Sequence, residues 1–325
     1  MSASIAGVIR CAAAVTLLLS AAGIPGSAQT TYTSAQNVQP AFEGWERNPD
    51  GTFTMLFGYL NRNYVEEVEI PVGSDNSFAP GPADRGQPTH FYPRRQSFVF
   101  KVQVPADWGE KTDLVWTVTH NGRTSKAVGR LWPVWEVDEF VWLANRTGEI
   151  HARPVGTTVG ARRPPSIQVV GNDKVAITLP ESVVLTVSAS GAGEPARRPQ
   201  RVASQTSPEP QRPPEPAPGT LSVNGVPWTD LRVGPVTQDM VRWRVAQETG
   251  LAVSWLHYRG PGKITFDPQA VPIKPDDRNA RTTVRFSEPG TYVVRAVADN
   301  RMYTTPVDVT VVVARPGTSS PRTLR

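Results

Sequence analysis

Alternation with a period of two residues is what most restricts the fold of this chain. In Ser97 to Val104 (SFVFKVQV), Phe98, Phe100, Val102 and Val104 fall on the opposite face from Val99, Lys101 and Gln103. That is the pattern of a half-buried strand. The same pattern recurs in Val183 to Ala189 (VVLTVSA) and Tyr292 to Ala298. Turn signals separate the runs: Asn48-Pro49-Asp50-Gly51, Asn121-Gly122 and Pro289-Gly290 each favour reversal between two strands. No apolar period of 3.6 residues persists for a useful length. Short strands at intervals of about 10 residues predict antiparallel sheets packed face to face.

The length of 325 residues suits about two such domains. The first 28 residues read differently. Arg10 is the only charge before an apolar run, Cys11 to Ala22, followed by Ile24-Pro25-Gly26-Ser27-Ala28. A short apolar core, a helix breaker and small residues describe a secretory signal cleaved after Ala28. At about 12 residues the run is well short of the roughly 20 that cross a bilayer, so no integral membrane span is expected after cleavage. Cys11 is the sole cysteine, and it lies inside this signal. The mature chain then has neither disulfides nor a thiolate nucleophile or metal ligand, which fits a periplasmic or secreted bacterial protein.

Basic residues exceed acidic ones, 34 to 29, yet no run of Lys and Arg is longer than two. A nucleic-acid surface concentrates its charge on one face, so no nucleic-acid partner is expected.

Residues 29–40 read as a flexible lead and residues 41–151 as an N-terminal sandwich. Its expected strands include Thr52 to Leu60, Val65 to Val72, Ser97 to Val104, Leu114 to Thr119 and Thr124 to Leu131, with a long Gly/Pro-rich loop from Gly73 to Pro88. Asp138 to Leu143 has room for one helical turn. Residues 152–166 form a linker, 167–313 a second sandwich, and 314–325 a flexible tail. Within the second block, Glu194 to Gly219 holds eight prolines. Proline cannot donate to a sheet ladder, so this stretch is an extended, disordered insertion. It is either a loop that grew longer or a segment that recognises a partner.

With the insertion set aside, the second block resembles the PKD-type immunoglobulin-like domains of exported bacterial proteins. The matching residues are VVLTVSASG (183–191), LAVSWLHYRGPGKITFDP (251–268), ARTTVRFSEPGTYVVRAVADN (280–300) and VDVTVVV (307–313). The resemblance implies that Trp255 fills the space between sheets. It further implies that Pro289-Gly290 makes the turn that lets Tyr292 fold its hydroxyl back onto backbone. Members of that family serve as spacers, adhesion modules or carbohydrate-surface modules. The N-terminal block resembles no named family. The expected fold is therefore all-β: two immunoglobulin-like antiparallel β-sandwiches in tandem, the second with a long proline-rich insertion.

Catalytic and metal chemistry find little support in the spacing of the residues. His90, His120, His151 and His257 are scattered, with no pair at i, i+2 or i, i+4, so no metal site is expected. The acids in Val65 to Ile70 (VEEVEI) alternate with apolar residues as a solvated strand face does. Calcium has a slightly better case, since Asp75-Asn76, Asp276-Asp277 and Asp299-Asn300 sit in turns; turns also favour Asp and Asn for backbone reasons alone.

The most unusual composition is Phe57 to Tyr64 with His90 to Arg95. There aromatics interleave with Asn, Arg and His, the mixture that recognition surfaces use. Tyr59, Asn61, Arg62, Asn63, His90, Tyr92 and Arg94 are the candidate ligand-binding residues; the other reading is that the asparagines shape a turn over core aromatics. Trp132, Trp135 and Trp142 either pack where the domains meet or form a platform for stacking sugars. The sequence as a whole points to a non-catalytic binding or structural protein, a recognition module followed by a spacer. Its partner would be another envelope protein or a polysaccharide surface. Two alternatives remain open: a carbohydrate-binding module, with or without calcium, and an enzyme whose site lies in the N-terminal block.

Overall fold

The turn at Asn48 to Gly51 closes through its own side chains. Asp50 Oδ1 accepts from the Thr52 amide at 3.0 Å and from its hydroxyl at 2.6 Å. The hairpin so formed pairs β1 (Val38–Arg47) with β2 (Phe53–Asn61), beginning at Arg47 opposite Phe53. The computed structural model describes residues 34–138, 141, 164–191, 222–223, 226–227, 250–300 and 303–317. The expected signal, most of the linker and the proline-rich insertion lie outside the described residues, as do most of Asp138 to Leu143 and most of the chain between Ala189 and Leu251.

Six more strands complete the first sandwich: β3 (Val68–Glu69), β4 (Asn76–Ala79), β5 (His90–Phe91), β6 (Arg94–Val104), β7 (Leu114–His120) and β8 (Arg123–Gly129). One sheet has the order β1-β2-β6 and the other β4-β7-β8, with β3 and β5 paired beside them. In immunoglobulin terms these are strands A, B and E against C, F and G. Asn121 and Gly122, with φ of 50° and 70°, give the left-handed turn that an Asn-Gly hairpin between β7 and β8 requires.

Alternation places Phe57, Phe78, Phe100 and Trp116 between the sheets. Phe78 stacks on Trp116 at 5.9 Å, and Phe100 meets that indole edge-on at 5.0 Å. Burying each such ring contributes about 2–3 kcal/mol. Strand β4 is a departure from expectation, because it lies within the Gly/Pro-rich loop. A buried amide holds it there: Asn76 Nδ2 donates to the carbonyls of Ile70 and Pro88, both at 2.9 Å, while its Oδ1 accepts from Trp116 Nε1 at 2.9 Å. Conversely, the expected strand Val65 to Val72 shrinks to β3, whose Glu69 accepts from the Gly262 amide of the second sandwich.

The second sandwich comprises β9 (Ser166–Val169), β10 (Lys174–Thr178), β11 (Val183–Ser190), β14 (Ala252–Arg259), β15 (Ile264–Asp267), β16 (Ala270–Pro272), β17 (Asn279–Phe286), β18 (Gly290–Asp299) and β19 (Thr304–Ala314). Two two-residue strands, β12 (Ser222–Val223) and β13 (Val226–Pro227), pair with each other. The sheets have the orders β10-β19-β18-β14-β16 and β15-β17-β11-β9. These match the C-F-G and A-B-E-D sheets of an immunoglobulin-like domain, with β10 running parallel to β19 as an extra edge strand. Leu185, Val187 and Ala189 face the core and Val184 faces out, as period two demands.

Trp255 lies wholly buried on β14, at the position of strand C. Tyr292 lies wholly buried near the start of β18, and its hydroxyl donates to the Glu288 carbonyl at 2.7 Å. Burial, then the nearby Glu288 carboxylate, pushes its pKa up to about 12. Pro289 precedes Gly290, and a Cβ on Gly290 would stand 2.6 Å from Pro261 Cγ. Glycine thus lets the loop after β14 close against this corner.

Candidate functional site

The two sandwiches meet where the end of β14 and the loop after it face β3, β5 and the loop before β5. The backbones bond directly, the Thr89 amide donating to the Tyr258 carbonyl at 3.2 Å. Arg259 donates from Nε to the Gln87 carbonyl at 2.7 Å and from its two terminal nitrogens to the Asp84 carboxylate at 3.0 and 2.7 Å. This bidentate bond holds the Asp84 carboxyl below the usual carboxylate range. The Tyr258 hydroxyl donates to the Gly86 carbonyl.

A second wedge lies on β18. Arg295 binds Asp308 through two nitrogens at 2.7 and 2.9 Å and donates from Nη1 to the Val99 carbonyl at 3.0 Å. Its guanidinium sits 3.5 Å from the centroid of the Tyr258 ring, a cation–π contact. Leu56, Phe98 and Tyr303 pack as a small apolar cluster joining the two halves.

Beside these bonds opens a cleft of about 690 Å³ lined from both sides, by Glu67, His90 and Tyr92 of the first sandwich and His257, Lys263 and Thr265 of the second. The His90 and His257 rings stack with centroids 4.2 Å apart. His90 Nε2 lies 3.0 Å from Glu67 Oε2, and its Nδ1 lies 3.9 Å from Glu69 Oε1. Glu69 Oε2 accepts from the Gly262 amide at 3.0 Å. His257 Nε2 lies 3.1 Å from the Gly260 carbonyl oxygen, and its amide donates to the Tyr92 hydroxyl at 2.8 Å. Burial, reinforced by the neighbouring His90, pushes the His257 pKa down to about 3. At neutral pH its ring is uncharged.

The candidate recognition residues divide. Tyr59, Asn61 and Asn63 are buried and offer no surface to a ligand. Asn61 Nδ2 donates to the Glu66 and Phe91 carbonyls at 2.8 and 3.0 Å, and Asn63 caps the backbone of Gln36 through both ends of its amide. Two buried amides in tandem satisfy a turn that has no ladder of its own. Arg62 is exposed at that turn, and Arg94 lies over the Tyr64 ring at 4.2 Å. His90 and Tyr92 do reach the cleft, while the buried Tyr59 supports them from behind, its hydroxyl accepting from the Tyr92 amide at 2.9 Å.

Sequence reasoning missed His257, Arg259, Glu67 and Glu69. No local spacing links these residues, so only docking of the sandwiches reveals them. The acids at 67 and 69 lie on the exposed face opposite buried Val68 and Ile70, as expected, and from there also reach His90 and the Gly262 amide.

In the three expected calcium turns, Asn76 binds Ile70, Pro88 and Trp116 as described, Asp277 Oδ1 accepts from the Asn279 amide, and Asn300 Oδ1 accepts from the Tyr303 amide. Among the described residues, Glu69, His90 and His257 are the ligand-type side chains that converge, one ligand atom of each lying within 4.8 Å of the others. The expectation of scattered histidines is thereby corrected.

Trp132 and Trp135 pack on the first sandwich, against Trp45, Phe42 and Arg130. Trp132 and Trp135 are each 46% exposed, with Val134 between them at 82%. They form a knuckle on the first sandwich, anchored by Trp45 Nε1 donating to the Trp132 carbonyl at 2.9 Å and by Arg130 over the Trp132 ring. Trp142 lies outside the described residues.

No protein-family model matches the chain, and no curated protein matches it. Solved structures do. A three-domain immunoglobulin segment of titin is 8% identical with a TM-score of 0.23, covering 86% of this chain and 68% of its own. The fibronectin(III)-like modules of Clostridium thermocellum CbhA are 9% identical with a TM-score of 0.22, covering 89% and 100%. The D00-D0 domain of intimin is 10% identical with a TM-score of 0.22, covering 85% and 100%. The immunoglobulin-like assignment of both halves rests on their strand order. Among the described residues, no helix is long and apolar enough to cross a membrane.

Proposed function

We propose that this chain is an exported, non-catalytic structural and binding module of the bacterial envelope or extracellular space, whose two sandwiches act as one stiff body. The observation that supports this reading is the junction. Arg259 with Asp84 and Arg295 with Val99 cross it as multi-point bonds, and backbone pairs with backbone at Thr89 and Tyr258. A spacer needs a fixed angle between its units, whereas domains joined by a linker alone move independently. The second sandwich, read as PKD-type, is the spacer, and the first carries the recognition surface.

For that surface we favour the Trp132-Val134-Trp135 knuckle, because half-exposed indoles supply flat apolar faces for stacking against sugar rings. The partner is then a polysaccharide of the envelope; an envelope protein docking on the same knuckle is the second reading. Small-angle scattering of the signal-free chain tests stiffness. A scattering profile fitted by one fixed arrangement of the sandwiches, and broadened by Arg259→Ala with Arg295→Ala, supports the reading. Profiles that require a wide range of angles in the unmodified chain refute it. Glycan-array binding lost in Trp132→Ala with Trp135→Ala assigns the knuckle to sugar, and array binding that survives removes it from the site.

A further inference from the structure

Glu69 on β3, His90 on β5 and His257 on β14 present one ligand atom each within a 4.8 Å span. Their hydrogen bonds organise them further. His90 Nε2 faces Glu67 Oε2 at 3.0 Å, and His257 Nε2 faces the Gly260 carbonyl oxygen at 3.1 Å. A carboxylate and a carbonyl can only accept, so in the neutral imidazoles both protons sit on Nε2. The His90 Nδ1 then carries a bare lone pair. At His90, only 5% exposed, that Nδ1 has no hydrogen-bond partner.

A buried imidazole whose far nitrogen donates to a carboxylate or carbonyl is the arrangement by which proteins orient metal-binding histidines. The separation of His90 Nδ1 from Glu69 Oε1, 3.9 Å, is too long for a hydrogen bond. It is close to the roughly 3.4 Å that separates two ligands bound tetrahedrally at the usual 2.0–2.2 Å. Glu69 is already steadied through its other oxygen by the Gly262 amide. Closing the set around an ion takes shifts of about 1 Å, with the stacked rings turning out of parallel.

We propose that Glu69, His90 and His257 form a binding site for a divalent transition metal of the zinc class, and that the ion staples the two sandwiches together. Two imidazole nitrogens and one carboxylate oxygen suit zinc rather than calcium or magnesium, which take oxygen ligands. Glu67 and the Gly260 carbonyl hold the histidines from behind. Because the first sandwich supplies two ligands and the second supplies one, the ion binds only the docked arrangement and stabilises it.

The test is zinc binding to the signal-free chain after chelator treatment, by calorimetry and by competition with a chromophoric chelator. We expect one zinc per chain, and a visible absorption spectrum with cobalt in its place. At a zinc concentration a hundred times the dissociation constant, the thermal midpoint rises by about 5–10 °C. His90→Ala, His257→Ala and the conservative Glu69→Gln each weaken binding at least tenfold. His120→Ala, outside this ligand set, leaves it unchanged. Far-ultraviolet circular dichroism of each variant shows that the sandwiches are intact. Absence of stoichiometric binding, or binding that persists in the His90→Ala, His257→Ala double variant, overturns the proposal. Scattering in the presence of chelator addresses stiffness separately, so failure of the metal site leaves the spacer reading standing.

Discussion

Replacing Asn76 by alanine strands three polar groups at once. Asn76 is wholly buried, and its amide joins the Ile70 carbonyl, the Pro88 carbonyl and the Trp116 indole N–H through bonds of 2.9 Å each. A buried polar group left without a partner costs about 1–3 kcal/mol. The indole has a single donor and loses everything. The carbonyls keep whatever else approaches their second lone pairs, so the expected loss is about 4 kcal/mol in all. Urea denaturation followed by circular dichroism measures it.

A double-mutant cycle with Trp116→Phe isolates the indole bond, because phenylalanine has no N–H to satisfy. The two substitutions are expected to couple by about 1 kcal/mol or more. The effect should reach the junction too, since Asn76 pins the loop that carries Asp84, Gln87 and Thr89 to the second sandwich. Limited proteolysis between residues 80 and 88 is expected to quicken. A cost below about 1 kcal/mol, or no coupling with Trp116→Phe, would refute the view that this amide organises the sandwich.

Two further outcomes follow from the second sandwich and the junction. Tyr292→Phe removes the hydroxyl bond to the Glu288 carbonyl and is expected to cost about 1 kcal/mol, read as a lower urea midpoint; an unchanged midpoint would show that the corner is held by packing alone. The Asp84 carboxyl is held below its ordinary value by Arg259, so its stabilising contribution is present above about pH 4 and is lost as pH falls below that. With the carboxylate half-exposed, the contribution is under about 1 kcal/mol. The stability advantage over Asp84→Asn should be constant above about pH 5 and shrink as the pH falls below about 4, and an advantage that does not shrink on acidification contradicts it.

Much of the fold was legible in the chain itself. Asn121-Gly122 set the β7–β8 hairpin, the alternation of Phe100 to Val104 set the inward face of β6, and the run around Pro289 placed Tyr292 at its corner; Phe98, expected on that same face, leaves it at a break in the register where its φ is 53° and packs with Leu56 and Tyr303 instead. These are short-range constraints, satisfied within a few residues of where they are written. Strand β4 was not legible, because it has too few alternating residues to register against the glycines and prolines around it. Its position depends on Asn76 finding Trp116, 40 residues away. The place of Trp132 and Trp135, left open between two readings, was illegible for a related reason. Trp132 and Trp135 are drawn to their own sheet edge by Trp45 and Arg130, and no local pattern reports that competition.

The candidate site was the least legible part. Tyr59, Asn61 and Asn63 share a composition with recognition surfaces, but the same amides serve equally well to close a buried turn, and burial decided between the two uses. His90 and Tyr92 were singled out for their company in sequence, whereas their actual neighbour is His257, from the other sandwich.

By itself, then, the order of residues determined two separate alternating cores, the turns that fold them and the corner that Tyr292 locks, because strand faces and tight turns are decided by neighbours a few positions apart. Only the tertiary structure decided that Glu69, His90 and His257 come within 4.8 Å of one another. That meeting depends on the angle at which two finished sandwiches dock, and the docking is set jointly by Asp84, Arg259, Val99 and Arg295, residues scattered along the chain with no common period.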